Sequence, residues 1–276
     1  MPETYIADCA LCLRRRELRD SHFLPKALYR LIRASGKRNP HPIRATARGR
    51  RQTAFQARTY LLCAACEQLF DRNGEDYVMR QCYRGRGVFR LRSEVEKLIP
   101  VPGATRDYAL YAASGAPDID VDKLVHFCAS VFWRAAVRDW IVEGEKYEAI
   151  SLGKKYQEEI RRYLLGTRPF PQNAVVNILL SGLRFPPLGF LFPVSFRGDE
   201  GWSHRLHIPG ITFLLTIGRH SAESHALCFL RSSAHPIAIS TLGDARLQKD
   251  VLRLMGRVAP AWAEYPLIEG FERQQQ

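Results

Sequence analysis

An α+β fold is expected for this chain of 276 residues: a small N-terminal module, then core helices, then an antiparallel β-sheet. Three observations predict it. Two C-x2-C pairs, Cys9/Cys12 and Cys63/Cys66, bracket a basic segment. The stretch Lys123 to Val142 is apolar around most of a helical circumference, as a core helix must be. From Ala174 onward, β-branched and aromatic segments broken by Gly, Pro and Ser replace the helical pattern. The expected divisions are an N-terminal module over 1–85, a connector over 86–120 and an α+β unit over 121–276.

The cysteines sort into two kinds. Seven is an odd number, and Cys82, Cys128 and Cys228 stand apart from the paired four. The first thirty residues carry charges and two cysteines where an apolar signal core would sit. Secretion and a disulfide framework are therefore not expected, and a cytoplasmic protein is. No run of eighteen apolar residues is present, so no membrane span is expected. A two-residue spacer lets both thiolates of a pair reach one tetrahedral ion, so Cys9, Cys12, Cys63 and Cys66 are expected to hold a structural Zn²⁺.

The formal net charge is +13, from 41 Lys+Arg against 28 Asp+Glu. Residues 1–66 hold fourteen of the cations, mostly arginine, against four acids (Glu3, Asp8, Glu17, Asp20). A basic module on a nearly neutral body suggests a polyanionic partner, the alternative being a merely solvated face. Arginine favours phosphate, because its planar fork matches two oxygens at once.

Between the pairs, Pro25 suits the first turn of a helix through Ala27, Leu28, Leu31 and Ile32 that stops at Gly36. A basic turn precedes it, and residues 37–52 read as an exposed basic loop. Thr53–Leu62 is strand-like and runs into Cys63, after which a helix is expected from Glu67 to Met79.

These residues carry a resemblance. A knuckle, Ser21-His22-x-x-Pro25-Lys26, then Leu61-Leu62-Cys63-x-x-Cys66-Glu67 is similar to treble-clef zinc proteins of the HNH endonuclease type. It is also similar to a poorly characterised bacterial group with the same two motifs. The likeness covers about residues 5–80. It implies His22 as general base and Glu67 as a ligand of a catalytic Mg²⁺ or Mn²⁺ ion. It also implies a nucleic-acid substrate, DNA ahead of RNA, with RNA left open. Ser21 departs from the pattern, since a carboxylate normally stands there and a hard cation prefers carboxylate oxygen. Asp20, Asp71, Glu75 or Asp76 could compensate. Arg14, Arg15, Arg16, Arg19, Lys26, Arg30, Arg48, Arg50 and Arg51 would track phosphates.

Residues 81–120 read as a connector with short strands. Asp120 or Asp122 caps the core helix, and its polar members His126, Arg134, Arg138 and Asp139 read as satisfied core or edge groups. A second amphipathic helix is expected over Lys154–Leu165, ending at Gly166. Strands are expected at Ala174–Leu180, Phe190–Phe196, Ile211–Ile217 and Leu227–Leu230. Thr241-Leu-Gly-Asp244 opens a last helix to about Arg257, and the tail Arg273–Gln276 is polar. His204, His207, His220 and His225 match no recurrent metal spacing.

The leading expectation is thus a metal-dependent HNH-like endonuclease. Two alternatives remain open: a zinc-dependent nucleic-acid-binding protein without catalysis, and a zinc-organised interaction or regulatory protein whose positive charge serves only solubility. The C-terminal unit is a candidate surface for a protein partner.

Overall fold

The computed structural model describes residues 5–33, 43–46, 49–52, 55–102 and 106–240. It is a mixed α/β protein with several sheets. Strands β1 (Ile6–Asp8) and β2 (Arg15–His22) flank the first cysteine pair and run antiparallel, Ile6 opposite Glu17. A basic turn was the expectation for much of β2. Of its eight residues only Leu18 and Ser21 are buried, so charged side chains mask the two-residue period. Helix α1 (Lys26–Arg33) follows Pro25 as expected.

The expected exposed basic loop is instead partly a hairpin, β3 (Ile43–Thr46) with β4 (Gly49–Gln52). Arg44 is not free there. It donates to Glu143 at 3.1 Å, Glu145 at 2.5 Å and the Tyr147 hydroxyl at 3.1 Å, a hundred residues downstream. Strand β5 (Arg58–Cys63) completes a three-stranded sheet in the order β1-β2-β5 and delivers the second cysteine pair.

Cys63 sits extended at the N-cap of α2 (Ala64–Phe70), which continues through a π-helical turn (Asp71–Glu75) into α3 (Asp76–Gln81). The π turn carries Gly74. A Cβ there would meet the backbone nitrogen of Phe127 at 2.8 Å, so glycine is what lets the core helix approach. Next come α4 (Arg90–Val95) and β6 (Tyr108–Ala112).

Helix α5 (Val121–Val137) begins where expected, the Asp120 carboxylate accepting from the Lys123 backbone at 3.0 Å. It ends five residues earlier than expected. Arg138 is extended, and β7 (Trp140–Val142) folds back on β8 (Glu145–Tyr147). The turn residues Glu143 and Gly144 are both left-handed (φ 52° and 78°), as a tight hairpin turn demands. Apolar Trp140, Ile141 and Val142 extend the helical pattern in sequence but belong to a strand. Helix α6 (Lys154–Leu164) matches its expectation and packs on α5.

The large sheet contains β9 (Ala174–Leu180), β10 (Leu191–Gly198), β11 (Gly201–Ile208), β12 (Ile211–Gly218) and β13 (Pro236–Ser240). With β6 it has six strands in the order β10-β11-β12-β9-β13-β6. The expectation of a purely antiparallel sheet needs correction, because β13 runs parallel to β9. The expected strand at Leu227–Leu230 is also absent. Ser221 caps a short helix, α7 (Ala222–Leu227), and Phe229 then donates its backbone N–H to Val176. Strand β11 was hidden in sequence because His204 and His207 are buried, against the usual alternation. The expected helix from Thr241 to Arg257 and the tail Arg273–Gln276 lie outside the described residues.

Helix α5 is the centre of the molecule, with every residue from Leu124 to Ala135 buried. Phe70 from α2 meets its Trp133 edge-on at 6.2 Å between ring centroids, and Phe213 from β12 meets its Phe127 at 5.6 Å. One hydrophobic cluster therefore runs from Cys9 to Ile239.

Candidate functional site

The four paired cysteines converge. Their sulfurs all lie within 4.8 Å of one another, and Cys12 Sγ is 4.0 Å from Cys63 Sγ. A tetrahedral ion with bonds near 2.3 Å spaces its sulfurs about 3.8 Å apart, so the set is close to ligating geometry. Local backbone structure makes this possible. Leu13 is left-handed (φ 59°), its N–H bonds the Cys9 carbonyl at 2.8 Å, and the first knuckle closes on itself. Ala10 N–H bonds Leu61 O at 3.0 Å and Cys63 N–H points at Cys9 Sγ at 3.3 Å, which locks the two knuckles together. Amide donors to sulfur are what a thiolate site uses to spread its charge.

Cys9, Cys63 and Cys66 are buried and Cys12 is half-buried. A hydrogen bond from Cys66 pulls the Cys9 thiol down to about 4, and the reciprocal contact pushes Cys66 up. Full ionisation of all four sulfurs needs a cation at their centre. The set can hold a metal ion such as zinc. Among the described residues it is the one grouping of three or more His, Cys, Asp or Glu side chains with that geometry.

His22 ends β2. Its Nε2 donates to Gln56 Oε1 at 2.6 Å, so in the neutral ring the basic nitrogen is Nδ1. Burial lowers its pKa, with Arg58 and Lys26 adding to the effect and Gln56 and Asp20 opposing it. The ring is therefore neutral near pH 7. Glu67 lies one turn into α2. Burial raises its carboxyl, which the Ser21 hydroxyl and the Arg134 charge partly offset, and Oε1 is buried with no hydrogen-bond partner. Ser21 itself is buried and accepts from the Leu62 N–H at 3.1 Å. Ser21 and Glu67 thus come together, while the His22 ring is paired with Gln56.

The carboxylates expected to compensate for Ser21 have other surroundings. Asp20 is paired with Arg58 at 2.8 Å, and Asp71 and Asp76 are exposed. Glu75 is buried against the Arg134 guanidinium, and burial raises its carboxyl to about 7. Arg134 also donates to the His22 carbonyl at 2.8 Å. From the core helix it therefore holds both the end of β2 and the π turn. Sequence reading placed Arg134 among satisfied polar groups but not beside this site. The available signal was an arginine inside an otherwise apolar helix, which requires a buried carboxylate partner.

Arg14, Arg15, Arg16, Arg19, Lys26 and Arg30 are exposed around the knuckle, β2 and α1. Arg19 makes a long contact with Glu17 at 3.4 Å. Arg50 and Arg51 lie on β4, and Arg48 lies outside the described residues. No helix among the described residues is long and apolar enough to cross a membrane. No protein-family model, curated protein or solved structure matches the chain.

Proposed function

We propose that this chain is a zinc-organised, HNH-like endonuclease that hydrolyses phosphodiester bonds, with DNA as the favoured substrate. The observation that carries the reading is the junction of β2 and α2 beside the four cysteines. There a neutral imidazole, His22, follows Ser21, and Ser21 neighbours Glu67, whose one carboxylate oxygen is buried without a partner. An orphaned buried oxygen is costly, and a cation satisfies it. The treble-clef likeness is supported by the convergence of the sulfurs and by the second knuckle running from β5 directly into α2, with α1 and the β3–β4 hairpin inserted between β2 and β5.

In this reading the four cysteines hold Zn²⁺ as a purely structural ion, with no open position. His22 accepts a proton from the attacking water at Nδ1, the Gln56 amide fixing the ring through Nε2. Glu67, with Ser21, would hold Mg²⁺ or Mn²⁺, which supplies charge stabilisation at the phosphoryl and leaving oxygens. Exposed arginines from Arg14 to Arg19, with Lys26 and Arg30, neutralise the backbone.

The test is incubation of the purified protein with plasmid and with linear RNA, in EDTA, Mg²⁺ or Mn²⁺, beside His22→Ala. Divalent-dependent cleavage lost in the variant supports the nuclease. Intact substrate under every condition, with binding retained, overturns catalysis and leaves a second reading, a zinc-dependent nucleic-acid-binding protein. One observation favours that second reading: the Ser21 hydroxyl is already engaged by the Leu62 N–H.

A further inference from the structure

One feature of the three-stranded sheet is unused by this chemistry. Tyr5 and Tyr60 stack face to face, ring centroids 4.6 Å apart and planes 20° from parallel, yet they remain 50% and 43% exposed. A stacked aromatic pair left in water is unusual for a protein with a large core to fill, since both rings would gain by burial. Register fixes what lies around them. The β2–β5 register is irregular between Arg19 and Asp20; beyond that point Asp20 and His22 share one face of β2 by two-residue alternation. Tyr60 is opposite Asp20, Arg58 is opposite His22, and the Tyr5 carbonyl accepts from the Leu18 N–H. The tyrosine pair therefore shares its face of the sheet with the His22 position.

Cations border the same face. Arg16 and Arg58 are exposed, Arg58 in an ion pair with Asp20 at 2.8 Å that a phosphate would replace. Arg138, which follows α5, donates to the Tyr60 carbonyl at 3.0 Å along the outer edge of β5. Exposed rings flanked by arginine on a sheet match the needs of unpaired nucleotides, whose bases stack on aromatic faces while phosphates meet guanidinium groups. A duplex would leave the rings without a role, because its bases are already stacked on one another. An acidic protein would use the cations but not two coplanar rings.

We propose that the Tyr5–Tyr60 face binds single-stranded nucleic acid, a base extending the tyrosine stack with its neighbouring phosphates on Arg16, Arg58 and Arg138. This rests on the nucleic-acid reading above and specifies the state of the strand that reaches His22. The charge complementarity of the face and the coplanarity of its rings carry the assignment.

The experiment measures fluorescence anisotropy of a labelled twelve-nucleotide oligo(dT) and of the matching dT·dA duplex, at low and moderate salt. The variants are Tyr60→Ala, Tyr60→Phe and Tyr5→Ala, each checked for metal content and secondary structure. Wild type is expected to prefer the single strand, and Tyr60→Ala to lose roughly 10-fold or more of that affinity while Tyr60→Phe keeps it. Duplex binding is expected to be the same in all four proteins. Equal single-strand affinity in wild type and a folded Tyr60→Ala overturns the stacking face and leaves the nucleic-acid reading standing. Failure of wild type to bind either probe at low salt overturns both. Should Tyr60→Ala lose its metal, Tyr5→Ala decides on the same criterion, since Tyr5 precedes the first knuckle.

Discussion

The three-stranded sheet that carries the cysteines and the six-stranded sheet behind α5 both contain histidine, and they treat it differently. In the first, His22 is half-buried at a strand end, bordered by Arg58 and Asp20, and turned toward Gln56. In the second, His204 and His207 are buried among core side chains. Their Nδ1 atoms meet the hydroxyls of Ser195 and Thr212 at 2.8 and 3.0 Å, and burial pushes both rings down to about 4. The same contrast holds for cysteine. Cys9, Cys12, Cys63 and Cys66 face one another, whereas burial pushes Cys82 up to about 12 and leaves it an inert member of the core. What separates the two sets is their surroundings, not residue type.

The largest expected effect breaks the first region alone. Cys63→Ser should reduce bound metal from one ion per chain toward none and unfold the three-stranded sheet. Metal-coupled folding in small thiolate sites is worth about 10 kcal/mol. Metal content and chelator competition check this. The matched change Cys128→Ala, in the core helix, should leave metal content unaltered.

Next is the link between the regions. Arg134→Met removes the partner of the buried Glu75 and the donor to His22 O, and should cost about 3–5 kcal/mol in denaturant unfolding. Adding Glu75→Gln should recover part of the loss, since no uncompensated charge is then buried. If the single variant is as stable as wild type, the two regions do not depend on this contact.

The histidines of the large sheet supply a pH test. Their folded pKa lies below the unfolded value near 6.5, so the stability they provide is complete above pH 6.5. It is lost as pH falls toward 4, by up to about 3 kcal/mol for each ring. Thermal unfolding of His207→Gln should therefore show a flatter profile between pH 6.5 and 4 than wild type. An unchanged slope would mean that the ring titrates normally.

The smallest effect concerns surface charge. Arg14→Gln should weaken DNA binding by a few-fold and reduce the slope of log affinity against log salt by about 0.9, while the exposed Arg168→Gln changes neither. Equal effects of both would mean that binding follows net charge and not the basic module.

Local patterns were legible in the sequence wherever one short segment contained its own reason. Asp120 caps α5, Gly166 follows α6, and Ala174–Leu180 is a strand because buried residues dominate it. The pattern failed where polar residues occupy buried positions, as His204 and His207 do in β11, and where exposed arginines crowd a strand, as in β2. Of the candidate site, sequence named the four cysteines, His22 and Glu67. It had no means of naming Gln56, which lies 34 residues from His22, or the part Arg134 plays 112 residues from it.

By itself, then, the sequence determined the cysteine spacing, the apolar central helix and the concentration of arginine near the N-terminus, because each is a property of neighbours along the chain. Only the tertiary structure decided which charges are available. Arg44 is drawn from the basic segment into Glu143 and Glu145, and Arg134 into Glu75, because a buried charge is tolerated only beside its opposite. That opposite can be supplied by any part of the chain that folding brings within a hydrogen bond.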